Sequence, residues 1–245
     1  MSNLIIDIGN TRTKIALFNQ HDLMFSVAIE QLTVDHLKML KDEHPQLTQA
    51  ILSSVKPVDD EILKYLSENF DVFIELDHQT ELPIENLYQT PETLGKDRLA
   101  AAVGANELFP DQNLLIIDAG TAITYDLVSE KNQFVGGNIS PGLQMRFKAL
   151  NHFTGKLPLV SYSDEFQTIG KNTTDAIRAG VQNGILYEIA QTIELFNKNY
   201  QNLQIVMTGG DSIFFDKKLN YSIFVHFNIT LIGLNRILEH NAKKN

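Results

Sequence analysis

The sequence predicts an α/β protein of two tandem domains with mixed five-stranded sheets and a nucleotide cleft between them. Three observations predict it. LIIDIGNT, Leu4 to Thr11, returns 111 residues later as LIIDAGTAIT, Leu115 to Thr124, with Leu4, Ile5, Ile6, Asp7 and Gly9 matched by Leu115, Ile116, Ile117, Asp118 and Gly120. Short apolar runs alternate with helical patterns through both halves. And 245 residues, at roughly 100–150 per domain, make two small domains, divided as 1–112 and 113–245. A repeated acidic, glycine-containing strand end implies two turns that clamp a nucleoside triphosphate.

The elements follow in order. Asn3 to Ile8 is an apolar run leading into Asp7-x-Gly9, a buried strand. Lys14 to Phe18 and Leu23 to Ile29 are two more, joined by the polar turn Asn19-Gln20-His21-Asp22. Thr33 to Lys41 is helical, Ala50 to Val55 a strand, Glu61 to Asn69 a helix and Val72 to Leu76 a strand. Three hairpin-linked strands followed by αβαβ is the order of a ribonuclease H-like unit. Asp77 to Pro110 connects the halves and carries a helix from about Asp97 to Leu108.

The second half repeats the pattern with strands at Leu114 to Asp118, Ile123 to Val128 and Phe134 to Ile139. A helix follows near Leu143 to Leu150. A longer one, about Thr174 to Asn197, carries Ile177, Val181, Ile185, Ile189 and Ile193 at steps of four, a buried stripe. Gln204 to Met207 is a strand, Thr208-Gly-Gly-Asp211 a turn, and Leu231 to Asn241 a terminal helix.

Composition narrows the chemistry. The formal charge is −10 and no Lys/Arg block occurs beyond Lys243-Lys244, so nucleic acid is not an expected partner. An acidic protein also repels anions at long range, so a phosphate site must be built locally from backbone N–H groups, a few cations and a metal. The absence of cysteine removes thiolate chemistry and Cys-ligated zinc. No signal peptide and no apolar run of ~20 residues are present, and a cytoplasmic protein without a membrane partner is expected. There is no Walker sequence, G-x-G-x-x-G, H-E-x-x-H or G-x-S-x-G.

Two turns carry the candidate site. In Asp7-Ile8-Gly9-Asn10-Thr11-Arg12-Thr13-Lys14, Gly9 permits a sharp turn and a close N–H approach to phosphate. Asn10, Thr11 and Thr13 supply neutral donors, and Arg12 and Lys14 cations. Asp7 suits a hydrated Mg²⁺. The bland alternative is a hairpin with solvated charges. In Asp118-Ala119-Gly120-Thr121-Ala122, small residues allow close approach, Thr121 can donate to a phosphate, and Asp118 either takes a cation or caps the turn. Gly136-Gly137 and Pro141-Gly142 flank a strand-to-helix passage whose helix would start toward the cleft.

Those motifs, with Gly95-Lys-Asp-Arg98, Gly136-Gly-Asn-Ile-Ser-Pro-Gly142 and Asn172-Thr173 ahead of Ala-Ile-x-x-Gly180, occur in an order that resembles type III pantothenate kinase, of the acetate kinase, sugar kinase, heat-shock 70 and actin superfamily. The resemblance covers nearly the whole chain. It implies ATP-dependent phosphorylation of pantothenate to 4′-phosphopantothenate, the first committed step toward coenzyme A. It further implies that Asp7 to Lys14 and Thr121 handle ATP with Mg²⁺, that Asp118 binds a monovalent cation (K⁺ or NH₄⁺), and that Asp97 is the proton acceptor. Tyr88, Gly95, Lys96, Asp97, Arg98 and Thr173 then contact pantothenate, and the chain is a homodimer. Arg98 suits the pantothenate carboxylate. Leu99 stands where many members have Trp, Lys96 where a small residue or Pro is common, and Thr174 adjoins Thr173. The rival readings are a non-catalytic nucleotide-binding transcriptional accessory factor and another small-molecule kinase of the same fold.

Overall fold

The structure, a computed structural model, describes residues 2–243; the remaining ends of the expected domains lie outside it. The first repeat runs β1 (Ser2–Ile8), β2 (Thr13–Asn19), β3 (Asp22–Ile29), α1 (Val34–Glu43), β4 (Leu47–Ser54), α2 (Asp60–Asn69) and β5 (Val72–Glu75). A two-residue strand, β6 (Glu85–Asn86), and a 3-10 turn at Pro91–Thr93 lead into α3 (Lys96–Leu108). The second repeat runs β7 (Leu114–Ala119), β8 (Ala122–Ser129), β9 (Gln133–Pro141), α4 (Leu143–Phe153), α5 (Thr173–Asn199), β10 (Gln204–Thr208), α6 (Ser212–Asp216), β11 (Ile223–Val225) and α7 (Ile229–Ala242).

The duplication is topological as well as local. The first sheet has the order β3-β2-β1-β4-β5, and the second β9-β8-β7-β10-β11 with β6 added beside β9. In both, the LIID strand is central, antiparallel to its hairpin partner and parallel to the strand that returns after the helices. The first sheet has the expected five strands; the second has six, because β6 from the connecting segment pairs with β9. The sequence pattern misses β6 and β11 because two or three residues are too short to show an alternation.

Each sheet is covered, so the central strands are apolar at successive positions. Leu4, Ile5 and Ile6 are fully buried, as are Leu115 and Ile117. One core gathers Leu4, Ile6, Ile15 and Leu17 with Leu37, Ile62 and Leu66 from α1 and α2. The other sets Leu115, Ile117 and Tyr125 against the α5 stripe Ile177, Val181, Ile185, Ile189 and Ile193. Each such side chain contributes roughly 1.5–3 kcal/mol by burial, which holds a 27-residue helix in place. Among the described residues, no helix is long and apolar enough to cross a membrane.

The chain divides into two compact units. One takes the chain through Pro110, Asn132–Val135 and the chain from Asn228; the other takes Asp111–Lys131 and Gly136–Phe227. The division expected at 112/113 therefore differs at the end of the chain, where α7 joins the first unit. The cause is a close helix crossing. A Cβ on Gly104 of α3 would stand 2.0 Å from Ile229 O, and one on Gly233 of α7 would stand 1.8 Å from Ala100 O. Two glycines thus let the backbones touch. Beside them Asn3 Nδ2 donates to Asn235 Oδ1 (2.8 Å) and Asn235 Nδ2 to Gln20 O (2.9 Å), pinning α7 to the central strand β1 and to the β2–β3 turn.

Candidate active site

At the end of β1, Asp7 sits across from Lys14 on β2 and from Ser53 on β4. The chain then turns sharply, with Gly9 N donating to Arg12 O at 3.0 Å. A Cβ at position 9 would come within 3.2 Å of that oxygen. Asn10, Thr11 and Arg12 are exposed on the turn. Ile8 and Thr13 are buried, so a ligand at this turn meets their backbone rather than their side chains. Asp7 Oδ1 is buried without a hydrogen-bond partner. Burial and the charge of Asp97 raise the Asp7 pKa from 3.8 to about 6, while Lys14 and the nearby Ser53 hydroxyl pull it down.

Asp97 and Asp7 therefore share one locality, although 90 residues separate them. Gly95 is the N-cap of α3 and Asp97 lies in its first turn, where the helix dipole favours an anion. Asp97 Oδ1 accepts from Arg98 N at 2.8 Å. A Cβ at Gly95 would stand 2.6 Å from the same oxygen, so glycine there lets the carboxylate adopt this position. Arg98 is only 7% exposed, and its guanidinium carbon lies 5.8 Å from the centre of the Tyr88 ring, a cation–π distance. Tyr88 is tilted against Phe134 at 6.1 Å, next to the β6–β9 pairing that ties Asn132–Val135 to this unit. Lys96 is half-buried and Leu99 buried. The structure thus brings together Asp7, Lys14 and Asp97, with Arg98 and Tyr88 alongside.

The second turn is assembled from three segments of the other unit. Asp118 lies across from Thr124 on β8 and Thr208 on β10, the same register that Asp7 holds toward Lys14 and Ser53. Gly120 N donates to Ala122 O at 3.0 Å and Gly142 N to Thr121 O at 3.2 Å. A Cβ on Gly142 would stand 2.3 Å from Gly120 O. Gly209, at φ +94°, would place one 2.4 Å from Ala119 O and 2.6 Å from Asp118 Oδ1, so both glycines are dictated by packing on this turn. Asp211 N donates to Ala119 O at 3.0 Å, and burial raises the Asp211 carboxyl. Thr121 is exposed at the apex.

Thr173 opens α5, after the N-cap Asn172, whose side chain accepts from Asp175 N at 2.9 Å. Thr173 and Thr174 are both exposed. Sequence reasoning missed Ser53, because a lone serine at a strand end has no local signature; only the register of β1 and β4 places it. Among the described residues, no group of three or more acidic or histidine side chains is arranged to hold a metal ion. A cation here would keep water or phosphate among its ligands, as Mg²⁺ commonly does. The orphaned, buried Asp7 oxygen fits that manner of binding.

Comparison with known proteins gives the family. A family model described as type III pantothenate kinase matches residues 3–195. A type III pantothenate kinase of Phocaeicola vulgatus is 46% identical over 241 residues, covering 98% of this chain and 99% of its own. One of Christiangramia forsetii is 42% identical over 240 residues, with 98% of each chain covered. Among solved structures, a candidate Baf family transcriptional activator from Campylobacter jejuni superposes with a TM-score of 0.64 at 24% identity, covering 98% of this chain and 99% of its own. That last likeness is one of fold. The chain belongs to the type III pantothenate kinase family.

Proposed function

We propose that Asp97 accepts the proton of the pantothenate hydroxyl as the γ-phosphoryl group of ATP passes to that oxygen, giving 4′-phosphopantothenate and ADP at the start of coenzyme A biosynthesis. The observation that carries this reading is the meeting of Asp97 with Asp7 and Lys14, beside a buried Arg98 under Tyr88. Phosphoryl transfer needs positioning and charge neutralisation more than covalent chemistry. Asp7 to Lys14 and Thr121 handle ATP, the turns supplying N–H donors and Lys14 and Arg12 positive charge. Arg98 holds the substrate carboxylate, with Tyr88, Gly95, Lys96 and Thr173 completing the pantothenate contacts.

Asp7 would hold Mg²⁺ through water, and the ion supplies charge neutralisation on the phosphates. Asp118 would take K⁺ or NH₄⁺. A homodimer working in the cytoplasm completes the reading.

One assay tests the chemistry. Purified protein with ATP, Mg²⁺ and K⁺ releases ADP only when pantothenate is present, and Asp97→Asn loses about 10²-fold or more of kcat while still binding ATP. A wild-type protein without pantothenate-dependent ADP release would leave the nucleotide-binding regulator as the better reading. Replacing K⁺ by Na⁺ in the same assay slows turnover; equal rates would remove Asp118 from its role.

A further inference from the structure

Arg146 of α4 and Glu188 of α5 carry no role in the site above, yet their contacts lead to it. Arg146 donates from Nε to Pro141 O at 2.8 Å and from one terminal nitrogen to Ser140 Oγ at 2.9 Å and Glu188 Oε2 at 2.5 Å. Glu188 Oε1 accepts from Tyr125 Oη at 2.8 Å. One arginine and one carboxylate thus join β8, the end of β9, α4 and α5. The next residue after Pro141 is Gly142, whose N–H bonds Thr121 O and whose Cα has no room for a side chain beside Gly120 O.

The residues leading into Gly142 need such a hold. From Gly137 to Ile139 the end of β9 is exposed, Ile139 by 65%, and little apolar packing locates it. The Arg146 and Glu188 side chains are 20% and 31% exposed, sheltered enough for a charge-assisted pair to exceed an ordinary surface ion pair. Burial pushes the Glu188 carboxyl up, but bonds from Arg146, Ser140 and Tyr125 outweigh it and hold the group below the usual carboxylate range. Glu188 is therefore charged at neutral pH.

We propose that the Arg146–Glu188 pair is a positioning clasp for the nucleotide turn. It holds the Pro141–Gly142 backbone against Gly120–Thr121 and thereby sets the affinity for ATP. The inference rests on the assignment of that turn to ATP under the kinase reading.

The experiment measures ATP affinity by calorimetry and, in parallel, steady-state kinetics in both substrates. Glu188→Gln and Arg146→Met raise Kd and KM for ATP about five- to tenfold, because the support of the turn rather than a ligand contact is lost. The value of kcat at saturating ATP and KM for pantothenate stay within about twofold. Arg146→Lys recovers only part of the affinity, since a lysine lacks the planar fork; should a neutral variant fail to fold, Arg146→Lys carries the comparison alone. Tyr125→Phe, which leaves the clasp itself intact, keeps ATP affinity near wild type while lowering the melting temperature. Variants that melt earlier but bind ATP like wild type overturn the clasp and leave a purely structural pair. If wild type binds ATP without phosphorylating pantothenate, the kinase reading fails, while the calorimetric comparison still decides the clasp.

Discussion

Asp7 gains a proton affinity on folding that its unfolded chain lacks: burial and the charge of Asp97 carry it from 3.8 to about 6. The sign follows. The folded chain binds that proton more tightly, so stability falls as pH rises from about 4 to about 6 and is flat above. Asp7→Asn removes the cost. It should stabilise the metal-free protein more at pH 7.5 than at pH 5, by a difference on the order of 1 kcal/mol, in chemical denaturation at the two pH values. An equal or negative effect at both would contradict the paired-carboxylate environment. Asp7 and Asp97 were each legible in the sequence, because each lies in a short motif with glycine. Their meeting was not, since it depends on β1 and the first turn of α3 being brought together. Ser53, Arg146 and Glu188 were invisible for a related reason: each acts through a partner supplied by sheet register or by helix packing.

Helices α3 and α7 meet at glycines, and their substitution separates two meanings of glycine in a helix. At Gly233 an added methyl would collide with the Ala100 carbonyl, a backbone atom that no side-chain rotation relieves. Gly233→Ala should cost about 2–3 kcal/mol and lower the melting temperature by roughly 5–10 °C. At Gly184 in α5 nothing lies within 4 Å of the added atom, and Gly184→Ala should instead stabilise by about 0.5–1 kcal/mol. Thermal unfolding of the pair checks both; a neutral Gly233→Ala would mean that the helices can part without loss. The long elements were legible because their periodicity survives over many residues: the α5 stripe is buried at every expected position. The strands β6 and β11 were lost because they exist only by pairing with neighbours, at Gln133–Phe134 and at Ile205–Met207.

For the molecule as a whole, a homodimer predicts sedimentation at micromolar concentration as a species of twice the 27.6 kDa chain mass; a single monomer peak would sink it. Duplication was legible from LIID-x-G alone, since one repeated strand end fixes two equivalent sheet centres. The grouping of the chain was not, because α7 belongs by sequence to the second repeat and by packing to the first unit. That crossing has a consequence for how the molecule comes into being. The stretch of α3 from Arg98 to Ala105, buried in the finished fold, leaves the ribosome long before its cover. At ~5–20 residues per second, on the order of ten seconds pass while the second unit is made. That unit is almost continuous in the chain and can close first. The helix carrying Asp97 and Arg98 waits for the last one, so in a nascent chain the turn proposed for the nucleotide can form before the segment proposed for substrate is covered.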